Sequence, residues 1–428
     1  MRVLQVHNKY RPGWGGEDTV ANLEANLLRR HGHEVERLSA WTGELEGAGS
    51  LRLFAAGLGA VWSLRGYLGV KRAIAAVSPD LVHVHNDFPL LSPSIFWACH
   101  RAGVPVVHTM HNYRFACANA VLLRNDRPCE DCVSRFPWPA LRYRCYGSSL
   151  SRTASVAARN VFHRWLGTYK HKVHAYIALT SFSKDLLVRS GLPEERVFVK
   201  PNFQPVPQLP VLPRLPRFVF AGWMVREKGL HLLLQAWQKI RPASHELLLI
   251  GDGSERAALE RLCAPSFTPS QTNDARVVWL GLQPRPKVFE LVSGSRYAIV
   301  PSLCYENFPM SVLEALSAGT PVIAPDHGAF PQILSNDCEG LLFSAGDAAS
   351  LENALRVALA APESVWTQWS VSARNRFLRE YTEQENYAQL MAIYEKAIGC
   401  FEEQRSAAAR RKPSKAVPGV AAGLRRDS

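Results

Sequence analysis

Apolar residues along this chain fall into short runs rather than long amphipathic repeats. In the first half the runs RVLQVH, LVHVH, VPVVHTMH and AYIALT are separated by helix-length stretches. In the second half RFVFAGW, ELLLIGDG, VVWLG, YAIVPS and TPVIAP repeat the arrangement. Strand-length apolar runs alternating with helical segments predict an α/β fold with parallel, doubly wound sheets covered on both faces. The halves meet at NFQPVPQLPVLPRLP, Asn202 to Pro216, whose five prolines forbid a helix and predict a semi-rigid linker. The expected organisation is an N-terminal domain over 1–202 with a Cys-rich insertion at 114–150, a C-terminal domain over 203–380, a last helix over 381–402 and a disordered basic tail over 403–428.

The stretch PSLCYENFPMSVLEALSAGTPVIAP, Pro301 to Pro325, carries the sharpest candidate chemistry. Tyr297 to Val300 reads as a buried strand, and Pro309 suits a first helical turn because its missing N–H has no partner there. Val312, Leu313, Leu316 and Ala318 then recur at a helical period until Gly319 ends the helix. Glu306 therefore lies just before a helix N-terminus, and Glu314 lies inside that helix. Between them the backbone N–H groups of Asn307, Phe308, Met310 and Ser311, with the positive end of the helix dipole, can receive a diphosphate. A carboxylate on either side can accept hydrogen bonds from sugar and ribose hydroxyls. An isolated pair at this spacing reads equally well as a capping carboxylate and an ordinary helix Glu; the whole string is far more specific.

That string resembles the signature of the family 4 glycosyltransferases, whose GT-B architecture sets two Rossmann-like doubly wound domains across a cleft. The resemblance covers most of residues 1 to 400. It implies that Glu306 contacts the donor sugar, that Glu314 contacts the nucleotide ribose, and that the last helix crosses back to the N-terminal domain. FAGWMVREKGL, Phe220 to Leu230, places a turn and a cation at a strand's carboxyl end, and Lys228 is the expected diphosphate contact. Trp223 occupies a position where the family usually has Arg, so Arg226 is the candidate substitute. In HNKYRPGWGGEDTV, Gly13, Gly15 and Gly16 let backbone approach a ligand. By resemblance Gly15 and Gly16 lie near the donor phosphates, and His111 near the reacting sugar carbon. A tight turn and a structural His are the plain alternatives.

No Asp-x-Asp occurs, so a metal-clamped diphosphate has no obvious ligands and no catalytic cofactor is expected. The resemblance implies transfer with retained anomeric configuration. Cys117, Cys129, Cys132 and Cys145 form C-x11-C-x2-C-x12-C, a spacing that fits a structural tetrahedral zinc, with disulfides or unconnected thiols as the alternatives.

Composition adds a partner. At 428 residues and 47% hydrophobic the chain can bury two cores. No apolar run approaches the ~18 residues of a membrane span, and the N-terminus reads as a strand rather than a signal peptide. Nine cysteines without a signal suggest reduced thiols and a cytoplasmic location. Residues 1 to 200 hold 26 Lys+Arg against 15 Asp+Glu, whereas 201 to 404 hold 17 against 21. Two acid-free spans, Gly47 to Pro79 and Cys132 to Lys184, interleave basic with aromatic residues, as expected of a surface docked on anionic lipid. A solubilising surface is the alternative, and no specific nucleic-acid motif is visible. The reading is a glycosyltransferase, peripheral on the inner membrane face, that uses a nucleotide-sugar donor and a lipid-linked or cell-envelope saccharide acceptor. A degenerate nucleotide-sugar or membrane binder and a GT-B epimerase are the alternatives.

Overall fold

The computed structural model describes residues 1–10, 15–208, 213–263 and 276–410. Gly13, the middle of the proline segment and the tail beyond Arg410 lie outside the described residues. Two six-stranded parallel sheets form the framework. The first contains β1 (Arg2–Lys9), β2 (Glu34–Trp41), β3 (Leu81–Asn86), β4 (Val106–Thr109), β7 (Ala175–Ala178) and β8 (Val197–Val199), in the order β2-β1-β3-β4-β7-β8. A two-stranded hairpin, β5 (Leu123–Arg124) with β6 (Arg127–Pro128), projects from the Cys-rich insertion. The second sheet contains β9 (Leu215–Ala221), β10 (Glu246–Ile250), β11 (Val277–Gly281), β12 (Ser295–Ile299), β13 (Val322–Pro325) and β14 (Gly340–Phe343), in the order β11-β10-β9-β12-β13-β14.

Helices cover both faces of each sheet, which is why β3 is buried at all six positions and reads as an unbroken apolar-rich run. In both sheets the strand order reverses once, between β1 and β3 and between β9 and β12. Crevices outside the carboxyl ends of strands at such reversals are where doubly wound folds bind ligands. The Gly15-Gly16 turn follows β1, the Lys228 turn follows β9, and the Glu306 loop follows β12, so all three converge on the interdomain cleft.

Two elements depart from the sequence reading. The proline segment is not a bare linker: Phe203 is fully buried, the Asn202 side chain donates to the Phe308 carbonyl at 3.2 Å, and β9 already begins at Leu215. The last helix, Glu383–Arg410, runs past residue 402 into the segment expected to be disordered. It lies on the N-terminal domain, where the Tyr394 hydroxyl pairs with His83 Nδ1 at 2.8 Å and Tyr387 with His33 Nε2 at 2.8 Å.

Candidate active site

A cleft of about 490 Å³ opens between the two sheets and is lined by residues from both domains. Two helix N-termini meet across it. The helix Gly16–Arg30 has Gly15 at its cap position, and the helix Met310–Ala318 starts after Pro309, which occupies the cap position rather than the first turn; neither start has a side-chain cap. A Cβ on Gly16 would lie 3.5 Å from Met310 Cγ, so the glycine keeps the two starts close without filling the space between them. Uncapped N–H groups at Met310 and Ser311 therefore line a ready anion site.

Lys228 and Glu306 meet beside that site. Lys228 Nζ donates to Glu306 Oε1 at 2.6 Å, and the Ser302 hydroxyl donates to the same oxygen at 2.6 Å. Both bonds fall on Oε1, which leaves Oε2 to accept from a bound hydroxyl. Burial works to raise the Glu306 pKa, but Lys228 and the two hydrogen bonds outweigh it and hold the carboxyl below its usual range. For Lys228, burial acts downward and the Glu306 carboxylate overrides it, so the ammonium is held above its ordinary value. The pair is ionised at neutral pH. The turn that delivers Lys228 depends on Gly229, at φ 67°, where a Cβ would meet the Pro301 carbonyl at 2.0 Å.

Glu314, deeper on the same helix, accepts from Arg285 at 2.9 Å through Oε1, and burial raises its pKa against the pull of Arg285. The Asn307 side chain is used structurally rather than turned toward a ligand: it donates to the Met110 carbonyl at 2.5 Å and accepts from Ser183, tying the Glu306 loop to the N-terminal domain. Phe308 is buried and lines the cleft, as does Trp223.

His111 lines the opposite wall. Its Nε2 is 2.9 Å from His85 Nδ1, and burial followed by the neighbouring histidines drives its pKa well below the usual value, so it is a neutral hydrogen-bonding group. His85 belongs to a buried cluster with His83 and Glu24, whose ligand atoms lie within 4.8 Å of one another. Lys200 Nζ, 3.1 Å from Glu24 Oε2, already balances that carboxylate. His108 is a buried core residue held near pKa 4 by desolvation.

Arg226 is not brought into the cleft lining. Its guanidinium, half exposed, makes a two-point ion pair with Asp126 at the tip of the β5–β6 hairpin, at 3.1 and 2.5 Å. The pair joins the Cys-rich insertion to the C-terminal domain, two residues from Lys228.

Glu17, Ser302 and Arg285 escaped the sequence reading. Glu17 follows the Gly pair directly, lines the cleft, and accepts from Asn112 at 2.8 Å and Asn86 at 3.1 Å; burial raises its pKa. Its place just after Gly15-Gly16 was the available signal.

The basic spans of the N-terminal domain resolve into two kinds of residue. Arg159 is buried and bidentate on Asp87 at 2.6 and 2.7 Å, so it belongs to the core. Arg52, Arg65, Arg135, Arg142, Arg144 and Arg152 are exposed. They accompany Leu51, 83% exposed, Phe54, Leu58, Leu64, Trp138 and Trp165, 79% exposed. An apolar groove of about 420 Å³ runs from Phe136 to Trp165. No single helix among the described residues is long and apolar enough to cross a membrane.

Comparisons with known proteins agree with this geometry. Residues 15–202 match the family model of the glycosyl transferase 4-like domain, and residues 215–361 match that of glycosyl transferases group 1. The chain is 28% identical to alpha-maltose-1-phosphate synthase of Mycolicibacterium smegmatis over 52% of its length and 63% of that protein's. It is 28% identical to D-inositol 3-phosphate glycosyltransferase of Jonesia denitrificans over 77% of its length and 75% of that protein's. Against phosphatidyl-myo-inositol mannosyltransferase of Mycobacterium leprae the figures are 32%, 44% and 49%. The chain thus spans less than two thirds of the first and last of these relatives. The fold matches that of Anabaena Alr3699/HepE, solved in complex with UDP-glucose, with a TM-score of 0.64 at 15% identity over 92% of this chain and all of that one. The chain belongs to the group 1, family 4 glycosyltransferases, with the GT-B fold.

Proposed function

We propose that this chain is a retaining hexosyltransferase that moves a sugar from a nucleoside-diphosphate donor to a hydroxyl of a lipid-linked or cell-envelope saccharide. It works on the cytoplasmic face of a membrane. The observation that carries the reading is the ionised Lys228–Glu306 pair, 2.6 Å apart, beside two facing helix N-termini. A diphosphate carries the charge such a site favours, and Lys228 with the Met310 helix start would stabilise it as it departs. The UDP-glucose held by the Anabaena protein supports the donor class, and the phosphatidyl-inositol named for the Mycobacterium leprae relative supports a lipid-linked acceptor.

In this scheme the bond from the anomeric carbon to the phosphate oxygen breaks, and the acceptor oxygen bonds to that carbon on the same face. The acceptor proton passes to the departing phosphate oxygen. Glu306 Oε2 holds a sugar hydroxyl, neutral His111 supplies a hydrogen-bonding group on the opposite wall, and Glu314 Oε2 takes the ribose. The exposed apolar face with its arginine rim supports docking on anionic lipid, and an odd number of cysteines, nine, fits a reducing compartment.

The test incubates the protein with a panel of nucleotide sugars and extracted envelope lipid, follows nucleoside-diphosphate release, and assigns the product anomer by NMR. Retained configuration is expected; an inverted product sinks the mechanism, and no turnover with any donor sinks the transfer. Trp223 in the cleft favours a second reading, a donor-binding protein without turnover. Donor hydrolysis without acceptor would exclude it.

A further inference from the structure

The Cys-rich insertion is the part of the molecule that the transfer chemistry does not use. From Cys117 to Cys145 its regular structure is the β5–β6 hairpin and one short helix, Trp138–Arg142. Six of the eleven non-glycine residues with positive φ in the described chain lie in this stretch: Ala120, Leu122, Asn125, Asp126, Ser134 and Arg144. Left-handed backbone is unfavourable for an L-residue, least so for Asn and Asp, and persists only where its surroundings enforce it. Two small apolar clusters pack against it. Cys117 packs with Leu122 and Val133, and Cys132 and Cys145 lie against Ala118 and Ala140.

The four cysteines lie near one another, although no three of their sulfurs are within 4.8 Å of each other. The Cys129 amide donates to the Leu122 carbonyl at 2.8 Å, and the Cys145 amide to the Ala140 carbonyl at 3.1 Å. Each of the four sulfurs lies within electrostatic reach of the other three. Backbone N–H groups of Asn119 and Leu122 face the Cys117 sulfur, and that of Ala140 faces the Cys132 sulfur. Amides aimed at sulfur orient it, as outer-shell donors do around a bound metal. Three-way ligand spacing within 4.8 Å is found only at Glu24, His83 and His85 among the described residues, where Lys200 supplies the countercharge. A tetrahedral site requires the sulfurs to close further on the ion by side-chain rotation; Cys129, Cys132 and Cys145 are half-buried and Cys117 is buried.

We propose that Cys117, Cys129, Cys132 and Cys145 bind one structural zinc ion as a tetrathiolate, and that this ion fixes the hairpin whose tip, Asp126, grips Arg226 of the C-terminal domain. Four thiolates in C-x11-C-x2-C-x12-C satisfy a closed tetrahedral site with no open position for catalysis. Binding releases the thiol protons and offsets the backbone strain of the insertion.

Metal content tests this directly, and it is independent of donor binding or transfer. Full-length protein purified without chelator or added metal should carry about one zinc per chain by mass spectrometry of the metal. Titration with an organomercurial should release that zinc as roughly four thiols react. Cys132→Ser should lose the zinc, whereas Cys400→Ser, on the last helix, should keep it. Should Cys132→Ser fail to fold, the mercurial titration of the unaltered chain still decides. Metal-free folded protein that takes up no added zinc, iron in place of zinc, or a disulfide between any two of the four in non-reducing peptide maps would overturn the proposal.

Discussion

Glu306 is held from one side only. Lys228 and Ser302 both bond Oε1, so the carboxylate is oriented before any ligand arrives while its second oxygen stays available. Such preorganisation is worth most where charge or hydrogen bonding changes during reaction. Glu306→Gln keeps the shape and the Ser302 bond but removes the charge opposite Lys228. It should lower kcat by about a hundredfold, the usual effect of losing one preorganised group, with a much smaller change in donor affinity; steady-state kinetics separates the two. Arg226 and Lys228 show why residue roles were only partly legible. They lie two positions apart on one tight turn, and both are cations near a candidate phosphate site. The turn sends Lys228 inward to Glu306 and Arg226 outward to Asp126, a residue 100 positions away that no local pattern connects to it.

At the level of elements, the site depends on turns at the carboxyl ends of strands. Gly229 lets the Lys228 turn pass against the Pro301 carbonyl at the end of β12, so the two halves of the ion pair are positioned by one contact. Gly229→Ala has both a left-handed φ and a steric clash to accommodate. It should destabilise the protein by about 1–3 kcal/mol, read as a fall in the urea midpoint, and donor affinity should fall with it. The Asp126–Arg226 pair is a different case, being exposed and reachable by salt. Asp126→Ala should change stability by less than ~1 kcal/mol while raising the apparent KM for donor at low salt, and the difference should fade as salt rises. Buried central strands such as β3 were legible because every position is apolar or enclosed. The edge strands β2, β8 and β14 were missed: β2 buries only Val35 and is otherwise exposed or half-buried, and the other two are only three and four residues long. Helix continuation to Arg410 was also missed, since its last turns are polar and small and carry no apolar period.

Across the whole molecule, several histidines are buried neutral. Desolvation depresses His85 to about 3 and His108, His163 and His174 to about 4. An unfolded chain titrates these groups near 6.5, so below that pH it binds protons that the folded chain does not. Stability should be flat above pH 7 and fall as pH drops from about 6.5 toward 4, each group contributing up to ~1.4 kcal/mol per pH unit in that window. Urea midpoints measured at pH 7.5, 6 and 5 check the direction; a midpoint that rises on acidification would contradict it. The basic excess of the N-terminal domain was legible as a sum, although composition could not separate Arg159, locked on Asp87 in the core, from the exposed arginines around Leu51 and Trp165. Flotation with vesicles should recover the protein only when anionic lipid is present, and should weaken when Phe54 and Trp165 are both replaced by Ser.

Lys228 and Glu306 make the cleft a nucleotide-sugar site in the proposed function. The most direct measurement is calorimetric titration of UDP-, GDP- and ADP-sugars into the full chain and into Lys228→Ala. One donor class should bind the unaltered chain at a single site, and the substitution should weaken it by about ten- to a hundredfold, the value of a charge-assisted hydrogen bond. Equal affinity in the two proteins, or no binding of any nucleotide sugar at millimolar concentration, would contradict it.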